Sequence, residues 1–183
     1  MIRLFVGLAL PENIKKQVLS LDKNLVGAAW KNEEKLHLTL SFVGNTEEPR
    51  AEELMRELRF IRFPTFHLAL KEIGYFANGD IPHHLWAGIE ETKALCELQE
   101  KVAAVVRKVG LAGQDKFKFH PHVTLAKLQG VSMSSVMDYI SRNNLFHSDL
   151  FEVTSFALFS SHAKENGEGK HYDIEAEYPL SLV

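Results

Sequence analysis

The chain has one cysteine, Cys96, among 183 residues, so neither a disulfide framework nor a CxxC metal site can be built from it, and packing on a helix is its expected role. It has no long hydrophobic run. Met1 to Leu10 is too short to span a bilayer and lacks the basic start and small-residue cleavage site of a signal peptide, so a cytoplasmic protein with no membrane partner is expected. A large excess of positive charge is absent too. The formal net charge is −3, which argues against a surface that tracks duplex phosphates through many Lys and Arg contacts. A small site reading one phosphate remains compatible with it. No low-complexity tail or flexible linker is evident, and the turn-rich stretches at Asn78–Pro82, Ala112–Lys116 and Glu165–Lys170 read as ordinary loops. One domain over residues 1–183, acting as a monomer, is the expectation.

What is present is 45% apolar and 25% charged, enough to bury a core. Ile2 to Leu10 reads as a buried strand stopped by Pro11. Helical spacing of three and four follows in Ile14, Val18, Leu21 and Leu25, again in Leu54, Leu58 and Ile61, and again in Leu95, Leu98, Val102, Val105 and Val109. Strand-like runs lie at Leu36–Val43, Phe66–Tyr75, Leu85–Ile89, His122–Leu128, Phe151–Phe159 and Tyr172–Glu177. The class is therefore α+β.

Internal repetition carries the organisation. Phe5-Val6-Gly7-Leu8 has a counterpart in Trp86-Ala87-Gly88-Ile89, each followed by an amphipathic helix, then by a strand bearing His-x-Thr-Leu at His37–Leu40 and His122–Leu125, then by another helical segment. Two such half-length units predict two lobes with both histidines in a cleft between them. Strict alternation puts Lys35, His37, Thr39 and Ser41 on one face, opposite Leu36, Leu38, Leu40 and Phe42 on the core face. The second copy puts Lys116, Lys118, His120, His122 and Thr124 opposite Phe117, Phe119, Pro121, Val123 and Leu125, provided Pro121 does not break the strand.

Two histidines beside two threonines fit the opening of a cyclic phosphodiester, which needs one proton taken from water and one delivered to the departing oxygen. An imidazole pKa near 6.5 lets one ring be base while the other is acid. The hydroxyls of Thr39 and Thr124 can donate to the non-bridging oxygens, and Lys127 or another nearby lysine can add positive potential. No cofactor is required. His120 could pair with His122 on a metal, but no carboxylate or cysteine stands at ligand spacing, so no metal is assigned and His120 is read as a buttress. His67, His83, His84, His147, His162 and His171 have no evident partner and are given no function. Phe42, Phe119 and Trp30 could stack on a base, though all three also suit a core. Lys35, Lys116, Lys118 and Lys127 are expected to line the cleft if it binds RNA.

These residues resemble the two-histidine phosphoesterase superfamily, and within it the bacterial RNA 2′,3′-cyclic phosphodiesterases, also known as 2′-5′ RNA ligases. The likeness runs through Arg3-Leu4-Phe5-Val6, Trp30, Leu36-His37-Leu38-Thr39-Leu40-Ser41-Phe42-Val43-Gly44, Leu85-Trp86-Ala87-Gly88, Phe119 to Lys127, and Phe159-Ser160-Ser161 with Gly169 and Tyr172. It implies two pseudo-symmetric lobes, each an antiparallel sheet with flanking helices, around a central cleft. It implies further that His37 is the proton donor to the leaving 3′ oxygen and His122 the acceptor that activates water, that Thr39 and Thr124 hold phosphate oxygens, and that RNA ends carrying a cyclic phosphate are the partner. Lys127 stands where many relatives carry arginine, which keeps the charge and loses the bidentate fork. The alternatives are 2′-5′ end joining and a non-catalytic module that binds phosphate ends.

Overall fold

The structure, a computed structural model, describes residues 1–90, 92–111, 118–163 and 170–181. The opening apolar run is strand β1 (Ile2–Ala9), and Pro11 starts helix α1 (Glu12–Leu19), which buries Ile14 and Val18. A short strand β2 (Ala28–Trp30) leads through a 3-10 turn at Glu33–Lys35 to β3 (His37–Thr46) and α2 (Glu48–Leu58). Strands β4 (Phe66–Leu68), β5 (Leu70–Asn78) and β6 (Ile81–Ile89) follow. Helix α3 (Lys93–Lys108) starts where the Thr92 hydroxyl accepts the Leu95 N–H, and β7 (His122–Leu128) comes after it. Helix α4 (Met133–Asn143) is capped in the same way by Ser132, and β8 (Phe151–Val153), β9 (Ser155–Ala163) and β10 (Lys170–Pro179) close the fold.

Topology makes the repeat visible. The main sheet runs β10-β9-β1-β3-β7-β6-β5, with β2 added to β7 and every pairing antiparallel. It reads alike from either side of the β3/β7 seam, with β1 matching β6 and β9 matching β5. The two strands that follow α2 and α4, β4 and β8, pair with each other in a second small sheet. At the seam itself β3 and β7 pair through one residue pair, Leu38 with Val123, both fully buried. Helix α3 packs on β3, α4 packs on β5 and β6, and a single buried cluster runs through both lobes. No helix among the described residues is long and apolar enough to cross a membrane.

The register corrects one alignment. Gly7 lies opposite Thr39 and Ala9 opposite His37, whereas Trp86 lies opposite Thr124 and Gly88 opposite His122. Gly88 is thus equivalent to Ala9, and matching Gly7 to Gly88 is displaced by two residues. The shared letter has separate causes: a Cβ on Gly7 would stand 2.6 Å from the Leu38 carbonyl oxygen, and one on Gly88 2.6 Å from that of Lys71, on a different neighbouring strand.

Each histidine strand also carries a bulge directly after its threonine. Partners pass from Gly7–Thr39 to Val6–Ser41, skipping Leu40, and from Trp86–Thr124 to Leu85–Ala126, skipping Leu125. An extra residue reverses the in-and-out phase beyond it. Ser41, expected beside His37, is therefore buried, and Phe42, expected in the core, is 47% exposed. By the same device Ala126 turns in and Lys127 turns out.

Three further expectations change. β7 begins at His122, so Lys118, Phe119, His120 and Pro121 lie outside any strand, and Lys116 and Phe117 fall outside the described residues. The run Phe66–Tyr75 breaks at Ala69, and Phe151–Phe159 at Thr154, because β4 and β8 leave to pair with each other while β5 and β9 join the main sheet. The loop expected at Asn78–Pro82 narrows to Gly79-Asp80, with Gly79 at φ +58°. Of the other expected loops, residues 112–116 and 165–169 are outside the described residues.

Candidate active site

Because Leu38 faces Val123 across the seam and both point into the core, their neighbours point the other way. Antiparallel register then sets His37 against Thr124 and Thr39 against His122. The four side chains form the corners of a square, with histidines on one diagonal and threonines on the other. Diagonal neighbours on adjacent strands stand roughly 7–8 Å apart at their Cα atoms, a span that one phosphate can bridge. All four line one cavity of about 180 Å³, together with Lys31, Lys35, His84 and Tyr172.

Both rings are fixed by the same local device. His37 Nδ1 lies 2.9 Å from the Lys35 carbonyl oxygen, and His122 Nδ1 lies 2.7 Å from that of His120. A carbonyl only accepts, so each Nδ1 carries the proton and Nε2 is the nitrogen that takes up or releases one. Aromatic neighbours hold the ring planes. His37 sits 4.7 Å from Phe5 and edge-on to Tyr172 at 5.2 Å, whereas His122 meets Phe76 edge-on at 4.9 Å and lies 6.3 Å from Trp86.

Those apolar surroundings push both imidazoles away from the charged form. Burial takes His37 down to about 4, opposed by its bond to the Lys35 carbonyl and assisted by the fields of Lys31 and His122. Burial also lowers His122, again opposed by its carbonyl bond, with His120 adding a smaller downward push. An anion bound between the rings acts in the opposite direction. Neither Thr39 nor Thr124 has a hydrogen-bond partner for its hydroxyl among the described residues, so both are free to donate to a ligand.

The remaining sequence candidates divide. Lys127 is exposed and lies opposite His84, close enough for its field to act on both His84 and Lys31. Phe42 lines the cavity, and it also borders a larger groove of about 820 Å³ together with Phe119, Phe76, His120, Thr39 and His122. Trp30 packs instead on Tyr139, at 5.6 Å. His120 buttresses: its ring lies 4.8 Å from Trp86 and 5.5 Å from Phe76, and its carbonyl orients His122. Among the described residues no group of three or more His, Cys, Asp or Glu is placed to hold a metal ion. Of the four lysines expected in the cleft, Lys35 lines the cavity, Lys118 borders the groove, Lys127 lines neither, and Lys116 is outside the described residues.

Sequence reasoning missed Lys31, Arg3 and Lys170 in the cavity, and it gave His84 no function although His84 lines it. A signal for His84 existed in the repeat once the register is right, since His84 opposes Lys127 as Phe5 opposes Phe42. His162 and His171 are likewise not isolated: they stack at 5.1 Å beside Asp173, on neighbouring positions to Ser161 and Tyr172 and so on the opposite face from the cavity.

Residues 10–165 match the family model described as the 2′-5′ RNA ligase superfamily. The chain belongs to that superfamily. A Thermotoga maritima relative named RNA 2′,3′-cyclic phosphodiesterase is 33% identical over 133 residues, covering 69% of this chain and 70% of the relative. An Aquifex aeolicus relative of the same name is 28% identical over 170 residues, covering 87% and 88%. Among solved structures, Escherichia coli LigT in its apo form superposes with a TM-score of 0.78 over 99% of this chain and 98% of that one, at 22% identity, a likeness of fold. Superfamily membership agrees with the α+β architecture and the antiparallel sheet described above.

Proposed function

We propose that this superfamily member hydrolyses RNA 2′,3′-cyclic phosphate ends to 2′-phosphates by general acid–base catalysis between His37 and His122, without a metal ion. The observation that carries the proposal is the square of two histidines and two free threonine hydroxyls, with both Nδ1 atoms tied to carbonyls and both Nε2 atoms left for proton transfer. The name shared by the Thermotoga and Aquifex relatives supports the substrate class.

In the proposed reaction His122 begins neutral and His37 protonated; burial depresses His37 the more strongly in the free protein, so it is the bound phosphate that charges His37. Water attacks phosphorus as His122 Nε2 takes its proton. The bond from phosphorus to the 3′ oxygen breaks, and His37 Nε2 delivers its proton to that oxygen, leaving the phosphate on the 2′ oxygen. Thr39 and Thr124 donate to the non-bridging oxygens as charge shifts onto them, and Lys127 adds positive potential. Proton exchange with solvent restores the starting charges.

The test is turnover of an RNA 2′,3′-cyclic phosphate end in the presence of a chelator, followed as a function of pH. Both rings are depressed in the free protein, so the singly protonated pair is most populated between two macroscopic pKa values that both lie below the ordinary 6.5. The kcat/KM profile, which reports the free enzyme, is expected to be a bell centred below pH 6.5. The bound phosphate favours imidazolium, so the kcat profile is expected to shift to higher pH. A 3′-phosphate product, activity abolished by chelator, or no turnover at all would contradict the proposal.

A further inference from the structure

The two lobes have matched backbones and unmatched chemistry. Past the bulge of β3, Phe42 is paired with Phe5, and past the bulge of β7, at the equivalent place, Lys127 is paired with His84. The pseudo-two-fold passes through the Leu38–Val123 pair, so it carries the first of these ends onto the second. The square of His37, Thr124, Thr39 and His122 therefore lies between an aromatic end, whose groove Arg107 and Lys118 also border, and a cationic end.

The cationic end is reinforced from β2. Lys31 N–H donates to the Leu125 carbonyl at 2.7 Å, which seats Lys31 beside β7 just past Thr124, and Lys35 stands two residues before His37 on the same side. Lys31, Lys35 and His84 all line the cavity. None of Lys31, Lys35 and Lys127 is paired with a carboxylate among the described residues. Burial holds Lys31 below its ordinary pKa, and the fields of Lys35, Lys127 and Lys170 add to it, since lysines gathered without acidic partners repel one another. An anion relieves that repulsion. The phosphate undergoing reaction sits at the square, between the threonines, so the end beyond it is open for a different one.

We infer that Lys31 and His84 form a second phosphate subsite, which takes the phosphate on the 5′ oxygen of the nucleotide whose 2′,3′-cyclic phosphate is opened. This rests on the reaction proposed above and adds the direction in which the substrate lies. In a ribose 2′,3′-cyclic phosphate the base leaves the ring from C1′, next to C2′, and the 5′ phosphate leaves from the C4′ side, next to C3′. Base and 5′ phosphate thus point to opposite ends of the sugar. The groove bordered by Phe42, Phe76 and Phe119 opens at the Thr39–His122 edge, and the lysines lie past the His37–Thr124 edge. A base stacked at the aromatic end turns the 5′ phosphate toward Lys31 and the departing 3′ oxygen toward His37, in keeping with His37 as the donor.

The chemistry required is a phosphate on the 5′ oxygen, which either a 5′-monophosphate or the preceding phosphodiester of an RNA chain supplies. Three substrates separate these: a nucleoside 2′,3′-cyclic phosphate, the same compound with a 5′-phosphate, and a dinucleotide ending in the cyclic phosphate. The second phosphate is expected to raise kcat/KM roughly ten- to hundredfold, the range of one or two charge-assisted hydrogen bonds. An advantage in the dinucleotide alone assigns the subsite to the RNA backbone, and one in both compounds assigns it to any 5′ phosphate. In Lys31→Met the ratio of kcat/KM with and without the second phosphate should fall by about tenfold. The ratio is the readout because the field of Lys31 on His37 affects all three substrates alike and cancels. His84→Gln should lower the same ratio by a smaller factor and serves if Lys31→Met does not fold. Turnover with no advantage for either longer substrate, or an advantage unchanged in both variants, would overturn the inference and leave the reaction standing. No turnover of any of the three would overturn the reaction itself.

Discussion

Alanine at His37 or at His122 is expected to lower kcat/KM by about 10²- to 10⁴-fold, with thermal unfolding little changed. The rate loss follows from removing one of the two proton transfers on which breaking a bond to an unactivated ribose oxygen depends. The intact fold follows from where the rings lie: both face the cavity, and the neighbours Leu38 and Val123 make the core contact at the seam. Because the two rings act as one unit, the double variant should cost little more than the worse single one. Steady-state kinetics with circular dichroism on all three variants checks this. Near-wild-type turnover in both single variants would mean that the square is not the catalytic centre.

Thr39→Val and Thr124→Val are each expected to reduce kcat by about 10²- to 10³-fold, the loss found when one preorganised donor to a developing oxyanion is removed. Valine keeps the branched shape that suits a strand and deletes only the hydroxyl, so the sheet is undisturbed. Serine at either position keeps the donor and should retain most of the rate. These hydroxyls have no protein partner among the described residues, so their removal leaves no orphaned group in the free protein and the deficit should appear in turnover and hardly at all in stability. Kinetics paired with melting temperatures for the valine and serine variants measures the split. A valine variant that lost stability and kept its rate would place the hydroxyls in the scaffold.

Much of this was legible before any coordinates. Period-two alternation at Leu36–Phe42 and the repeated His-x-Thr-Leu placed His37, Thr39, His122 and Thr124 on one face of equivalent strands, and helical spacing found α1, α2 and α3, although α1 ends at Leu19, before Leu21 and Leu25, and α2 at Leu58, before Ile61. Burial of every second residue is a local property, and the sequence records it. The bulges after Thr39 and Thr124 are not local: each depends on how a strand registers against its neighbour, and nothing in the letters marks the extra residue. Ser41 and Phe42 were consequently assigned to the wrong faces. His84 and Lys31 escaped notice for a related reason, since each reaches the cavity from a strand or turn beside β7 and neither belongs to a histidine motif. β2, three residues long, is too short to show any period.

The division of labour between His37 and His122 is the central claim, and a substrate with sulfur in place of the bridging 3′ oxygen tests it directly. A thiolate leaves without needing a proton, so a variant that lacks the proton donor should recover on this substrate and a variant that lacks the base should not. The measurement is kcat/KM of wild type, His37→Ala and His122→Ala on the oxygen and sulfur forms of the cyclic phosphate. Recovery of His37→Ala alone is the predicted result. Recovery of His122→Ala instead would reverse the two roles, and recovery of neither would contradict acid–base catalysis by this pair.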